Sequence, residues 1–166
     1  MISITQKTLQ DLEFNTVLET IAGRCNTDIG EAKAMAITPF KNKEELLINL
    51  KQTSEYLSSF SNNNAIPNHG FENINYELKF LAIEDSFLEV GSFKKIANLS
   101  ETAITLIQFL KKFEDYYPNL YQKASQIDIV KLILQRIDEV VDKFGIIKDN
   151  ASPDLIDIRR NINVVR

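Results

Sequence analysis

Apolar residues recur at intervals of three and four along nearly the whole sequence, and nowhere do they alternate with polar ones over the length of a strand. Asn-Gly hairpin signals are also missing. A chain patterned this way folds as packed helices, and the expectation is an all-α bundle of about seven. Ile4, Leu9, Leu12 and Phe14 start the first stretch, and Asn15 is placed to cap a second with Val17, Leu18, Ile21 and Ala22 inward. Thr27 caps a helix over Asp28–Ile37, which ends at Thr38-Pro39 because the residue before a proline is pushed out of the α region. From Lys43 to Phe60 the pattern predicts an amphipathic helix with Leu46, Leu47, Leu50, Leu57 and Phe60 on its inner face. The polar run Ser61–Gly70 reads as a surface loop and as a candidate break inside one domain spanning 1–166.

Helical spacing resumes over Glu72–Ala82, with Ile74, Leu78 and Leu81 inward, and again over Glu89–Phe113, before Pro118 interrupts it. After a short turn of helix near Leu120–Ala124, Asp128 is placed to cap a strong helix. That helix carries Ile129, Leu132, Ile133, Ile137, Val140, Val141 and Phe144, with Gly145 as its stop. The closing helix has the clearest start. Ser152 occupies the N-cap, Pro153 the first helical position, and Asp154 and Asp157 sit near the positive end of the dipole. Leu155, Ile158, Ile162 and Val165 form one narrow apolar stripe. No Gly, Pro or capping residue interrupts the pattern before Arg166, so the sequence reads as a piece of a longer protein and this helix as a truncated one.

Composition narrows the function. A 166-residue chain with 44% hydrophobic and 25% charged residues can bury a core without disulfides or metal. A lone cysteine, Cys25, has no internal partner and suits a reducing compartment, so the expected location is cytoplasmic. With one histidine, His69, and one cysteine, a His/Cys metal cluster is excluded by count. The apolar runs around Ile104–Leu110 and Ile129–Leu134 fall far below the roughly 18 residues of a membrane span. The net charge is −4, made of −5 in residues 1–85 and +1 in residues 86–166, which is no footprint of an autonomous nucleic-acid binder.

Catalytic patterns are missing as well. None of the five glycines precedes a lysine, so no phosphate-cradling Walker loop is present. His69 reads as a solvated loop residue, and Asp138 and Asp142 as part of a charged helix face instead of a cation site. Phe109, Phe113, Tyr116, Tyr117 and Tyr121 lack the interleaved cations of a base-stacking platform and read as core and rim. Arg159, Arg160 and Arg166 are the candidate phosphate contacts, being three cations on one helix.

In order and spacing, the motifs resemble the type-two branch of the MutS family over essentially the whole chain. The similarity rests on Leu12-Glu-Phe-Asn-Thr-Val-Leu18, Gly30, Thr38-Pro39, Glu44-Glu45, Leu50 and Thr53-Ser54-Glu55. It continues through Gly70-Phe-Glu-Asn-Ile74, with Asn73 where the family usually carries Asp. Its most specific element is Gly145, Asp149, Ala151-Ser152, Leu155 and Ile158-Arg159.

The resemblance implies the helical core of a DNA-acting ATPase, with the closing helix as the root of a lever leading to a DNA clamp. ATP and Mg2+ would belong to the full-length protein, as would dimerisation and a candidate Smr-type endonuclease. This stretch would carry no cofactor and no catalytic residue. Ser152, Leu155, Ile158, Ile162 and Val165 would dock the lever. DNA would be bound through the full-length protein and weakly or not at all by this chain, with the ribosome a second candidate partner and no membrane involved. The competing expectation is a helical protein-interaction adaptor, with the ribosome as its candidate partner.

Overall fold

The computed structural model describes the backbone of residues 4–165 and the side chains as far as Ile162. These residues are all-α, as the periodicity predicts. Nine helices follow in order: α1 (Gln6–Asp11), α2 (Phe14–Ala22), α3 (Asp28–Met35), α4 (Lys43–Ser58), α5 (Asn75–Leu81), α6 (Val90–Lys112), α7 (Pro118–Ala124), α8 (Lys131–Val140) and α9 (Pro153–Val165). No strand occurs among the described residues; a single antiparallel bridge joins Val141 and Ile147. The count exceeds seven because short helices at both ends of the first unit, α1 and α7, stand as separate elements.

The boundaries follow local chemistry. Thr5, Thr27 and Asn42 cap α1, α3 and α4 by accepting the backbone N–H of Thr8, Gly30 and Glu44. Asn15 does not cap α2. That helix begins at Phe14, after Glu13 turns the chain in the left-handed region at φ 50°, ψ 36°. Asp128 does not cap α8 either, since the helix starts at Lys131 after Val130, without a side-chain cap. Its far end is also shorter than the apolar pattern suggests. Val141 is already extended, at φ −112° and ψ 137°, so Gly145 serves a turn outside the helix instead of stopping it.

The chain divides into two units, one reaching to Asn73 and taking up Leu106–Ile127, the other formed by Ile74–Thr105 and the described residues from Asp128 onward. The 61–70 loop lies inside the first. That unit is centred on Leu110, Tyr117 and Ala124, with Ile66, Ile107, Phe109, Phe113, Leu120 and Tyr121 packed around them. Tyr117 is fully buried, and its ring lies 5.9 Å from that of Phe109. The aromatic series is therefore core, except Tyr116 at its exposed rim. The second unit is centred on Ile96, Ile137 and Val141, with Ile74, Leu88, Val90, Phe93 and Ala97 against them.

Helix α4 packs on α7, but not by its leucine stripe. Leu46, Leu47, Leu50, Leu57 and Phe60 are all exposed, Leu50 by 54% and Phe60 by 73%, which corrects the inward placement expected of them. The covered face is polar and runs through Asn49, Gln52, Glu55, Tyr56 and Ser59. Gln52 Nε2 donates to the Asn119 carbonyl at 3.4 Å. The Glu55 carboxylate takes the backbone N–H groups of Asn119 and Leu120 at 3.0 and 2.9 Å and also accepts from the Asn119 side-chain amide. Those two N–H groups are the orphan donors behind Pro118 at the start of α7, so a carboxylate on a distant helix acts as the cap that Tyr117 cannot supply. The face of α4 that meets α7 is thus the one that supplies hydrogen-bond partners, and its apolar face stays uncovered.

A similar inversion marks α5. Glu77 is buried, with its carboxylate 3.5 Å from Lys95 Nζ, while Tyr76, Leu78 and Leu81 are exposed.

Candidate functional site

The family-specific motif falls on the corner between α8 and α9, and its local chemistry explains the residue choices. Five residues past Val140, Gly145 holds φ +80°, and a Cβ there would meet Lys94 Cδ at 3.2 Å. Asp142 organises the turn. Its backbone N–H donates to the Ile146 carbonyl at 2.8 Å, and its carboxylate oxygen accepts the N–H groups of Phe144 and Ile146, each at 2.9 Å. The Lys148 N–H then donates to the Val140 carbonyl at 2.9 Å, closing the turn back onto the end of α8.

Two neighbouring side chains extend from this turn to the two helices. The Lys148 ammonium donates to the carbonyl of Asp138, a C-terminal group of α8. That carbonyl has lost its usual i+4 donor, because the Asp142 N–H is taken by Ile146. The Asp149 carboxylate pairs with the Arg159 guanidinium on α9, and Arg159 also reaches the Ile147 carbonyl at 3.5 Å. Ser152 caps α9 as its position predicts, accepting the Leu155 N–H at 3.2 Å.

Each candidate residue can now be placed. Arg159 is engaged within its own corner. Arg160 is exposed. Arg166, and the side chain of Val165, lie outside the described residues. On the docking stripe, Leu155 is half-buried, while Ile158 and Ile162 are 55% and 52% exposed. Asp142 spends its carboxylate on the turn, and among the described residues no group of three acidic, His or Cys side chains could hold a metal ion. His69 is pinned, not solvated. Its Nδ1 lies 3.1 Å from the Pro67 carbonyl and its Nε2 3.3 Å from the Tyr56 hydroxyl.

Sequence spacing did not reveal Lys148 and Asp142 as parts of the corner. An Asp three residues ahead of Gly is an Asx-turn signal that was available. The ten-residue reach from Lys148 to the Asp138 carbonyl has no local signature. In the same region, a depression of about 560 Å³ is lined by Lys94, Glu101, Asp138, Lys143, Phe144 and Lys148, among others, in mixed charge. No helix among the described residues is long and apolar enough to cross a membrane.

These residues define a helical scaffold pinned by charged and polar capping contacts. No protein-family model matches the chain. Over nearly all of its length, however, it is similar to proteins named Endonuclease MutS2. It is 28% identical over 162 residues to that of Alkaliphilus oremlandii, covering 96% of this chain and 20% of the relative. The Pelotomaculum thermopropionicum protein is 26% identical over 157 residues, covering 95% of this chain and 20% of the relative. The Staphylococcus aureus protein is 26% identical over 172 residues, covering 95% and 21%. The chain is thus similar to the type-two MutS branch, as its motifs predict, and spans about one-fifth of the length of the curated relatives it matches.

Proposed function

We propose that this chain is the helical core module of a MutS-type DNA-acting ATPase and that its work is mechanical. It would hold the root of a lever helix, α9, so that rearrangement of an ATPase elsewhere in the protein reaches a DNA clamp. The carrying observation is the corner itself. The family-like residues Gly145, Asp149, Ser152 and Arg159 are spent on fixing where α9 begins and how it leaves α8. Support also comes from the exposed leucine face of α4 and the apolar face of α5, which suit a module completed by other parts of a longer protein.

ATP and Mg2+ belong to that longer protein in this reading. This chain carries no phosphate loop of the Walker type, since glycines 23, 30, 70, 91 and 145 are followed by Arg, Glu, Phe, Ser and Ile and none by lysine. Contact with DNA would be made through the complete protein. With net −4 and Arg159 engaged by Asp149, this chain offers little counterion release.

Fluorescence anisotropy on branched and duplex DNA across a salt series tests this. The expected result is no sub-micromolar binding by this chain at physiological salt, and branched-DNA binding by the protein carried through its downstream reading frame. Sub-micromolar, salt-sensitive binding by this chain would contradict the mechanical reading. A downstream frame without a Walker A loop would favour the helical adaptor.

A further inference from the structure

We propose that the α8–α9 corner is a compliant elbow, in which charged clasps instead of apolar packing set the direction of α9. This deepens the lever reading given above. Three observations lead to it. Among the described residues, neither hydrophobic cluster draws a side chain from α9. Its apolar stripe is uncovered at Ile158 and Ile162, leaving half-buried Leu155 as the one described stripe residue with substantial cover. Arg159 reaches beyond α9 by polar contacts, to the Asp149 carboxylate and the Ile147 carbonyl. Lys148, next to Asp149, ties the same turn to the Asp138 carbonyl at the end of α8. One splint of residues therefore grips both helices.

The strength of the two grips differs from that of the turn between them. The turn is held by backbone bonds and by Asp142, and Gly145 meets its backbone requirement, so it is stiff. The Arg159 and Asp149 side chains are 38% and 86% exposed. A pair so open to water is a weak, salt-screened contact. Opening it exposes no core, and α9 keeps its own Ser152 cap. The corner therefore holds a defined angle at rest and yields to a modest load at α9, as the root of a moving lever requires.

Distance measurement between spin labels on the two helices tests the elbow. Labels go on Gln135→Cys in α8 and Asn161→Cys in α9, both exposed positions, in a Cys25→Ser background that removes the one native thiol. The expected result is a single narrow distance at low salt and a second, displaced population at about 1 M salt, where screening acts within a few ångströms. Asp149→Ala and Lys148→Met should show the second population already at low salt, with helical circular dichroism retained. The reversed pair, Asp149→Arg with Arg159→Asp, should return the narrow distance. One narrow distance in every variant and at both salt levels would overturn the elbow, because packing would then fix the angle. Loss of helical signal in Asp149→Ala would overturn it too, since an exposed clasp should not carry the fold. Neither DNA nor ATP enters the measurement, so its failure counts against the elbow alone and not against membership of a DNA-acting ATPase.

Discussion

Glu13 and Asp85 hold positive φ among the non-glycine residues described, at 50° and 59°. An L side chain in this region crowds the following carbonyl, at a cost of about 1–2 kcal/mol. Glu13→Gly should therefore stabilise the chain by about 0.5–1 kcal/mol in urea unfolding, the strain relief being partly offset by glycine's greater freedom when unfolded. Gly145 presents the reverse case. At φ +80°, with Lys94 close to where a Cβ would sit, Gly145→Ala should destabilise by about 1 kcal/mol or more in the same assay. Tyr117→Phe should cost about 1–3 kcal/mol. It would remove the hydroxyl that donates to the Asn64 carbonyl at 2.5 Å and accepts from the Asn62 amide at 3.1 Å, inside a fully buried site. Of these residues, Gly145 was legible in the sequence as a break in the helix, though as the stop of α8 and not as the turn beyond it. Glu13 was not, because nothing in Leu12-Glu13-Phe14 signals a left-handed residue.

At the level of elements, α4 separates two ways of holding a helix. Its leucines read from the sequence as the buried stripe, yet its polar face meets α7. Glu55→Ala should then cost about 1.5–3 kcal/mol through lost charge-assisted bonds to Asn119 and Leu120, whereas Leu50→Ala should change stability by about 0.5 kcal/mol or less. Denaturation midpoints of the two variants give the comparison, and a larger loss at Leu50 would show that the stripe is covered. Ile158→Ala on α9 should be similarly mild. Helix existence and type were legible because the period of three and four needs only neighbouring residues. Which face turns inward was not, because Glu55 finds its partners 64 and 65 residues away. The caps divide the same way. Thr27 and Ser152 announce themselves locally, while α7 is capped from another helix.

On the scale of the whole molecule, apolar faces left open on α4, α5 and α9 accompany a sequence that matches one-fifth of its relatives' length. The motif order pointed to the type-two MutS branch before any contact was known, whereas the charged splint of Lys148, Asp149 and Arg159 emerged only with the turn in place. In the lever reading, that splint sets the resting angle from which α9 moves. The most direct measurement is the stimulation of ATP hydrolysis by branched DNA, in the protein carried through its downstream reading frame, with and without Asp149→Ala. The mechanical reading requires that the variant still hydrolyse ATP and bind DNA while losing most of the stimulation. Full stimulation in the variant, or stimulation lost only together with DNA binding, would contradict it.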